Sequence, residues 1–386
     1  MEILDRFLQK PKESFFLFGP RGSGKSTWAS LNFKEALSID LLEPDTFRRF
    51  AARPETLLDF VRGQSSRKTV IIDEVQKVPA LLDAVHKLIE EKLGHQFVLT
   101  GSSARKIKRT GTDLLAGRAL LKTMHPFMAA ELEKKFSLEE ALRLGLLPLI
   151  KASSNPEETL KSYTALYIKE EVQSEGLVRN IGNFARFMEV ISFSHSSLLN
   201  VSNIARESEI ERKIIEGYIG ILEDLLIAFK VPVFTKRAKR QVSSHPKFYL
   251  FDAGVFRSLR PQGPLDKPQE IEGCALEGLV AQHLRAWNAY GRIHHDIFFW
   301  RTKSGVEVDF IVYGEDGLWA IEVKNSSRLR DEELRSLRIF KKDFPESRLL
   351  FLYRGKERFK RNGILGLPCE EFLLQLKPDK PLDAGI

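Results

Sequence analysis

The sequence is poor in the residues that mark secreted, zinc-fingered or membrane-bound proteins. Its 386 residues include two cysteines, Cys274 and Cys369, with no CxxC pair. That excludes a disulfide framework and a cysteine-based zinc finger. No apolar run approaches the roughly 20 residues needed to span a bilayer. Met1 to Pro11 carry charges throughout and lack the apolar core of a signal peptide. Internal repeats and low-complexity tracts are missing too. These absences lead to the expectation of a cytoplasmic protein with no membrane partner. An apolar content of 43% and a charged content of 29% suit a globular chain, long enough for two or three domains. The net charge of +8 is compatible with a nucleic-acid partner without requiring one.

The chain is organised around Gly19-Pro20-Arg21-Gly22-Ser23-Gly24-Lys25-Ser26-Thr27. An apolar run, Phe15 to Phe18, precedes it and a helix-compatible stretch follows, the order of a P-loop. Gly19, Gly22 and Gly24 let backbone N–H groups turn toward phosphate oxygens, and a helix N-terminus adds its positive dipole end. Lys25 is expected to meet the β- and γ-phosphates of ATP, and the Ser26 hydroxyl to ligate Mg²⁺.

Thr69 to Ile72 is an all-apolar β run, as expected for a strand buried on both faces of a parallel sheet. It ends in Asp73-Glu74, the Walker B pattern: Asp73 for the metal, Glu74 to orient the attacking water. The next apolar run, Phe97 to Thr100, ends in Gly101-Ser102-Ser103. A hydroxyl there would lie beside the γ-phosphate if sheet order sets this strand next to Asp73. Thr100 and Ser102 are therefore candidate sensors, with an ordinary strand-to-loop turn as the alternative. Arg118 precedes an expected fifth strand, Ala119 to Met124. It is either an arginine finger for a neighbouring subunit or a solvated surface arginine.

From Pro126 the pattern turns helical. Glu131 to Leu144 and Glu157 to Val172 read as amphipathic helices of a small lid. Phe184 to Phe193, Val201 to Ser208 and Glu211 to Leu225 are three more helices, followed by apolar runs at Leu226 to Phe234 and Phe248 to Phe251. Three helices and a hairpin suggest a winged helix. Its wing tip, Lys236-Arg237-Ala238-Lys239-Arg240, is either a DNA contact or a solvated loop.

Prolines and a glycine within Pro261 to Pro268 mark a domain boundary. A helix, Glu272 to Ala286, carries Glu277 on the apolar face of Val280, Ala281 and Leu284, where an unpaired carboxylate is costly. Strands follow at Phe298 to Thr302, Val306 to Tyr313 and Leu318 to Lys324, then a helix, Arg330 to Lys342, and a strand, Arg348 to Tyr353. Alternation sets Glu307 and Asp309 on one side of their strand, opposite Val308, Phe310 and Val312, and joins Glu322 to Lys324 on the next. This is a metal-dependent phosphodiesterase pattern: Asp309 and Glu322 to bridge Mg²⁺ or Mn²⁺, Lys324 to position or help deprotonate water, and Glu307 as a spare ligand or a solvated residue. A structural Glu322–Lys324 ion pair is the alternative.

The N-terminal half resembles the AAA+ superfamily. The whole chain is similar to the AAA_14/DUF4143 "ATP-binding protein" family. The resemblance rests on Gly19 to Thr27, Val70 to Glu74, Leu99 to Ser103, Leu115 to Arg118, the stretch Lys247 to Gly254, and the Glu277, Glu307 to Phe310 and Glu322 to Lys324 set. The last set and its order of elements resemble the PD-(D/E)xK nuclease fold. The implied fold is α/β: an AAA+ core over 1–125, a helical lid over 126–180, a winged helix over 181–262 and a nuclease-like domain over 263–386. The resemblance implies ATP, Mg²⁺, a ring-like homo-oligomer such as a hexamer, and DNA transactions. No clear second sensor arginine is found in the lid. The function expected is an ATPase that remodels branched or broken DNA. The rivals are a STAND-type nucleotide switch that binds nucleic acid or a partner without cutting, and a defence-associated nuclease gated by ATP.

Overall fold

The computed structural model describes residues 4–63, 68–102, 115–167, 170, 172, 180–235 and 245–383. The chain divides into two compact units. Leu8–His125 with Glu223–Ile227 form one, and Met1–Phe7, Pro126–Leu222 and Ala228–Ile386 the other.

The first unit is built on a wholly parallel five-stranded sheet: β1 (Phe15–Phe18), β2 (Leu37–Asp40), β3 (Thr69–Asp73), β4 (Gln96–Gly101) and β5 (Leu120–Thr123), in the order β2-β3-β4-β1-β5. β1, β3 and β4 are nearly continuous apolar runs because both faces are covered. Phe16, Val70, Ile72, Phe97 and Leu99 pack with Leu81, Leu82, Val85 and Leu88 of the helix Leu81–Glu90. Each such side chain contributes about 1.5–3 kcal/mol on burial. Between β2 and β3 the chain forms two helices, Pro44–Ala52 and Thr56–Arg62. Pro54 has no N–H to continue the first helix and disfavours the helical conformation at Arg53.

In the second unit, the expected helix over 131–144 is broken. Glu133 has φ 50°, and Ser137 caps a new helix, Leu138–Leu144, its hydroxyl accepting the Glu140 N–H at 3.3 Å. The expected helix over 157–172 begins as Pro156–Ser162 and passes into a π-turn, Tyr163–Tyr167. Helices Ile181–Ser192, Val201–Ser208 and Arg212–Asp224 accompany an antiparallel sheet of β6 (Ser197–Leu198), β7 (Ala228–Val231) and β8 (Lys247–Leu250), ordered β6-β8-β7. The basic run 236–240 and Ser103 lie outside the described residues.

The C-terminal region begins with the helix Pro268–Tyr290, four residues earlier than expected, because proline is well tolerated in a first turn. Its sheet is mixed and six-stranded: β9 (Asp296–Arg301), β10 (Glu307–Gly314), β11 (Gly317–Lys324), β12 (Arg348–Tyr353), β13 (Phe359–Arg361) and β14 (Ile364–Pro368), ordered β13-β14-β12-β11-β10-β9. The helix Arg335–Asp343 packs Leu337 and Phe340 against Val308 and Ile311. Simple alternation would set those two residues on opposite faces. The β9–β10 register shifts between Val308 and Ile311, and this bulge brings both to one core. Among the described residues no helix is long and apolar enough to cross a membrane.

Candidate functional site

The glycine-rich loop leaves β1 and enters the helix Lys25–Asn32 at Gly24. Gly22 and Gly24 have φ of 80° and 91°, left-handed values that favour glycine. Gly19 is required for another reason. A Cβ there would meet the Met124 carbonyl oxygen at 2.5 Å, at the end of β5. The Lys25 ammonium is buried in this cradle and donates to the Gly19 and Pro20 carbonyls at 2.8 and 3.2 Å. Ser26 and Thr27 are exposed in the first turn, whose N–H groups have no partner within the helix. Arg21 is exposed, and the Ser23 N–H donates to the Pro20 carbonyl at 3.2 Å.

Sheet order sets β4 between β1 and β3, the arrangement under which Thr100 and Ser102 approach Asp73. The Thr100 hydroxyl donates to Asp73 Oδ1 and accepts the Glu74 N–H, the latter at 3.4 Å. Glu74 itself stands at φ 58°, ψ 45°, a left-handed backbone uncommon for a residue with a Cβ. Gln76 Nε2 donates to Glu74 Oε2 and to the Ser102 hydroxyl, the latter at 3.1 Å. The sequence alone does not single out Gln76. Its only signal is a polar residue two after the acidic pair, and glutamines in turns are common. Arg118 is half-exposed and ion-paired with Glu90 of its own chain. That arginine holds the Glu90 carboxyl below its ordinary range.

The second constellation lies wholly in the second unit. Lys247 of β8 is 1% exposed, and its ammonium lies 2.9 Å from Glu277 Oε1, 2.5 Å from Glu307 Oε1 and 3.2 Å from Asp309 Oδ1. Tyr249 donates its hydroxyl to Glu277 Oε1 at 2.6 Å. Asp309 Oδ2 accepts the Val323 N–H at 2.9 Å, and Arg301 pairs with Glu307 Oε2 at 2.8 Å. Glu322 is bound by the Lys324 ammonium and accepts the Ser336 hydroxyl at 3.0 Å. The structure thus brings Glu277, Glu307 and Asp309 together around a lysine, and pairs Glu322 with Lys324. Among the described residues no group of three or more His, Cys, Asp or Glu is placed to hold a metal ion.

Burial works against charge throughout this cluster. It would lower the Lys247 pKa, but Glu277, Tyr249, Asp309 and Glu307 outweigh it and hold the ammonium well above the ordinary lysine value. Burial pushes Glu277 up, against the pull of Lys247 and with the help of Asp309. Burial and the Asp309 charge raise Glu322, against Lys324. Burial would raise Asp309 as well, yet Lys247, Lys324 and the Val323 N–H take it below the ordinary range. The sequence alone gives Lys247, Tyr249, Arg301 and Ser336 no site role. Lys247 had one available signal. It opens an otherwise apolar β run, Phe248 to Phe251, and a lysine in a buried strand needs carboxylate partners.

Residues 11–133 match the family model AAA_14, an AAA domain; residues 135–266 match DUF8612 and residues 272–372 match DUF4143, both domains of unknown function. No curated protein matches the sequence. Among solved structures, a signal transduction ATPase with numerous domains and a tetratricopeptide repeat sensor from Pyrococcus horikoshii is 12% identical, with 72% of this chain and 45% of that chain covered, at a TM-score of 0.23. C. elegans PCH-2 is 13% identical, with 54% and 62% covered, at a TM-score of 0.25. A Vibrio cholerae protein is 11% identical, with 89% and 96% covered, at a TM-score of 0.20. The chain therefore spans about 45% and 62% of the first two proteins, and at these scores the likenesses carry no argument. The AAA domain match supports an AAA-type ATPase, with ATP as its nucleotide and, as usual for such domains, Mg²⁺.

Proposed function

We propose that this protein hydrolyses ATP at the β1–β3–β4 edge and uses the cycle to act on DNA as a homo-oligomer. Lys25 meets the β- and γ-phosphates, and the loop and first-turn N–H groups cradle the remaining oxygens. The donor chemistry of Ser26 and Asp73, hard oxygens in the helical turn that follows β1 and at the end of β3, fits Mg²⁺, which when bound neutralises phosphate charge. Glu74 orients the attacking water, Gln76 holds the Glu74 carboxylate, and Thr100 fixes Asp73. The observation that carries this reading is the Thr100 hydroxyl. It joins Asp73 and the Glu74 backbone in one hydrogen-bonded unit next to the P-loop strand. Arg118 completes a neighbouring subunit's site once it exchanges its exposed Glu90 partner.

DNA is supported by the net charge of +8 and by the basic run 236–240. The order helix, strand, helix, helix, strand, strand, with sheet order β6-β8-β7, resembles a winged helix and supports the same partner. For the C-terminal domain, nuclease-like in its order of elements, the binding role is favoured over cutting because its carboxylates are already ion-paired. The test is the ATPase rate of wild type and Glu74→Gln, with and without single-stranded, duplex and four-way DNA. Wild type is expected to turn over faster with DNA, and Glu74→Gln to bind ATP without turnover. Equal rates in the two proteins overturn the Walker B assignment. Turnover indifferent to every DNA overturns the DNA reading and leaves the nucleotide switch.

A further inference from the structure

An ammonium group has three N–H donors, and the Lys247 ammonium has three carboxylates around it, Glu277, Glu307 and Asp309. Each of these carboxylates has a second partner as well. Glu277 takes Tyr249, Glu307 takes Arg301, and Asp309 takes the Val323 N–H. Glu322 is occupied by Lys324 and Ser336. Four carboxylates thus face three cations, Lys247, Lys324 and Arg301, so the cluster is close to electrically balanced by protein alone.

A divalent ion needs oxygens at about 2.0–2.6 Å. An ion bound to both Glu277 Oε1 and Asp309 Oδ1 would lie in the space the Lys247 nitrogen fills, at 2.9 and 3.2 Å from those same oxygens, and would meet its positive charge. The lysine has no easy exit. β8 is paired on both sides, by β6 and β7, and Phe248, Tyr249 and Leu250 are fully buried. The residues at this site therefore do not fit a resident metal.

We propose that Lys247 is the built-in cation of this cluster, fastening β8 to the helix Pro268–Tyr290 and to β10, and that removing it creates a divalent-cation site that the native protein lacks. The proposal deepens the reading of residues 263–386 as a binding domain, and its corollary is that the domain does not cleave phosphodiester bonds.

The experiment is Mn²⁺ titration of nucleotide-free full-length protein, read by electron paramagnetic resonance and by melting temperature. Wild type and Asp309→Asn are expected to bind the same amount of Mn²⁺. Lys247→Met is expected to melt lower than wild type, to bind one Mn²⁺ more, and to recover about 5 °C at saturating Mn²⁺. The extra ion is expected to vanish in Lys247→Met with Asp309→Asn. Wild-type Mn²⁺ binding that Asp309→Asn abolishes overturns the proposal, as does Mn²⁺-dependent DNA cleavage lost in that variant. A folded Lys247→Met that gains no Mn²⁺ overturns it too. If Lys247→Met does not fold, the wild-type and Asp309→Asn pair decides alone, with Glu277→Gln as its duplicate. No DNA enters the metal measurement, so failure of the DNA reading, seen as absent DNA binding by wild type, is separately visible.

Discussion

Lys25 meets its partners at Gly19 and Pro20, six and five residues away in sequence, whereas Lys247 meets Glu277 and Asp309 at separations of 30 and 62 residues. Both ammonium groups are buried, and both are held by oxygen. The first donates to backbone carbonyls of a loop whose glycines fix the geometry, the place from which it is expected to meet an anionic ligand. The second is held by carboxylates that cancel its charge, so little attraction remains for anything else. A buried lysine is thus a ligand-binding feature or a structural one according to what surrounds it.

The largest expected effect tests the first of these lysines. Lys25→Ala should lower ATP turnover on the order of 1,000-fold, about 4 kcal/mol, measured as steady-state phosphate release. A loss under tenfold would mean that the loop, and not the ammonium, carries the phosphates.

The next compares a buried charge with a buried neutral group. His283 is wholly buried; its Nδ1–H donates to the Leu279 carbonyl at 2.8 Å and its Nε2 accepts the Ala129 N–H at 2.9 Å. Burial, against the Leu279 carbonyl, lowers its pKa from 6.5 to about 4. A depressed folded-state pKa gives stability that is present above pH 6.5 and is lost as pH falls toward 4. Wild type should lose about 3 kcal/mol more than His283→Gln across that interval, read from urea midpoints. Parallel pH curves would show that the imidazole does not stay neutral for this reason.

Smaller effects resolve the cluster itself. Tyr249→Phe deletes one hydrogen bond to the Glu277 carboxylate and should cost about 2 kcal/mol in urea unfolding. Arg301→Ala, at the half-exposed edge, should cost only about 0.5 kcal/mol, and the cost should shrink further at high salt. If Arg301 proved the costlier of the two, charge balance and not buried hydrogen bonding would dominate the cluster.

The same contrast decides how much of the molecule was legible in its sequence. The P-loop, Asp73-Glu74 and the tip of β4 are local patterns, and even the condition for Thr100 to reach Asp73 could be stated before the strand order was known. The identities of Glu277, Asp309, Glu322 and Lys324 as a group were legible from alternation and helical spacing. Their chemistry was not, because it depends on a lysine from a strand in a different sheet. The bulge at Val308–Ile311 was equally invisible, since one irregular residue in β10 changes which face its neighbours take. The sequence shows no clear element over 354–376, yet β13, β14 and the helix Cys369–Gln375 close the sheet on that side. Short strands with exposed polar positions, such as Phe359–Arg361, carry too weak an alternation to be read.

The placement of Lys247 on β8 also orders events during synthesis. Lys247 leaves the ribosome before Glu277, Glu307 and Asp309, so for a time the strand is complete while its counter-charges are still untranslated. Until they emerge, desolvating that ammonium costs several kcal/mol with nothing to offset it. The β6-β8-β7 sheet is therefore expected to consolidate late, after β10 exists. A fragment ending at residue 262 should leave Lys247 in water and its sheet poorly protected from amide hydrogen exchange. On this expectation the boundary read from the sequence does not separate independent folding units.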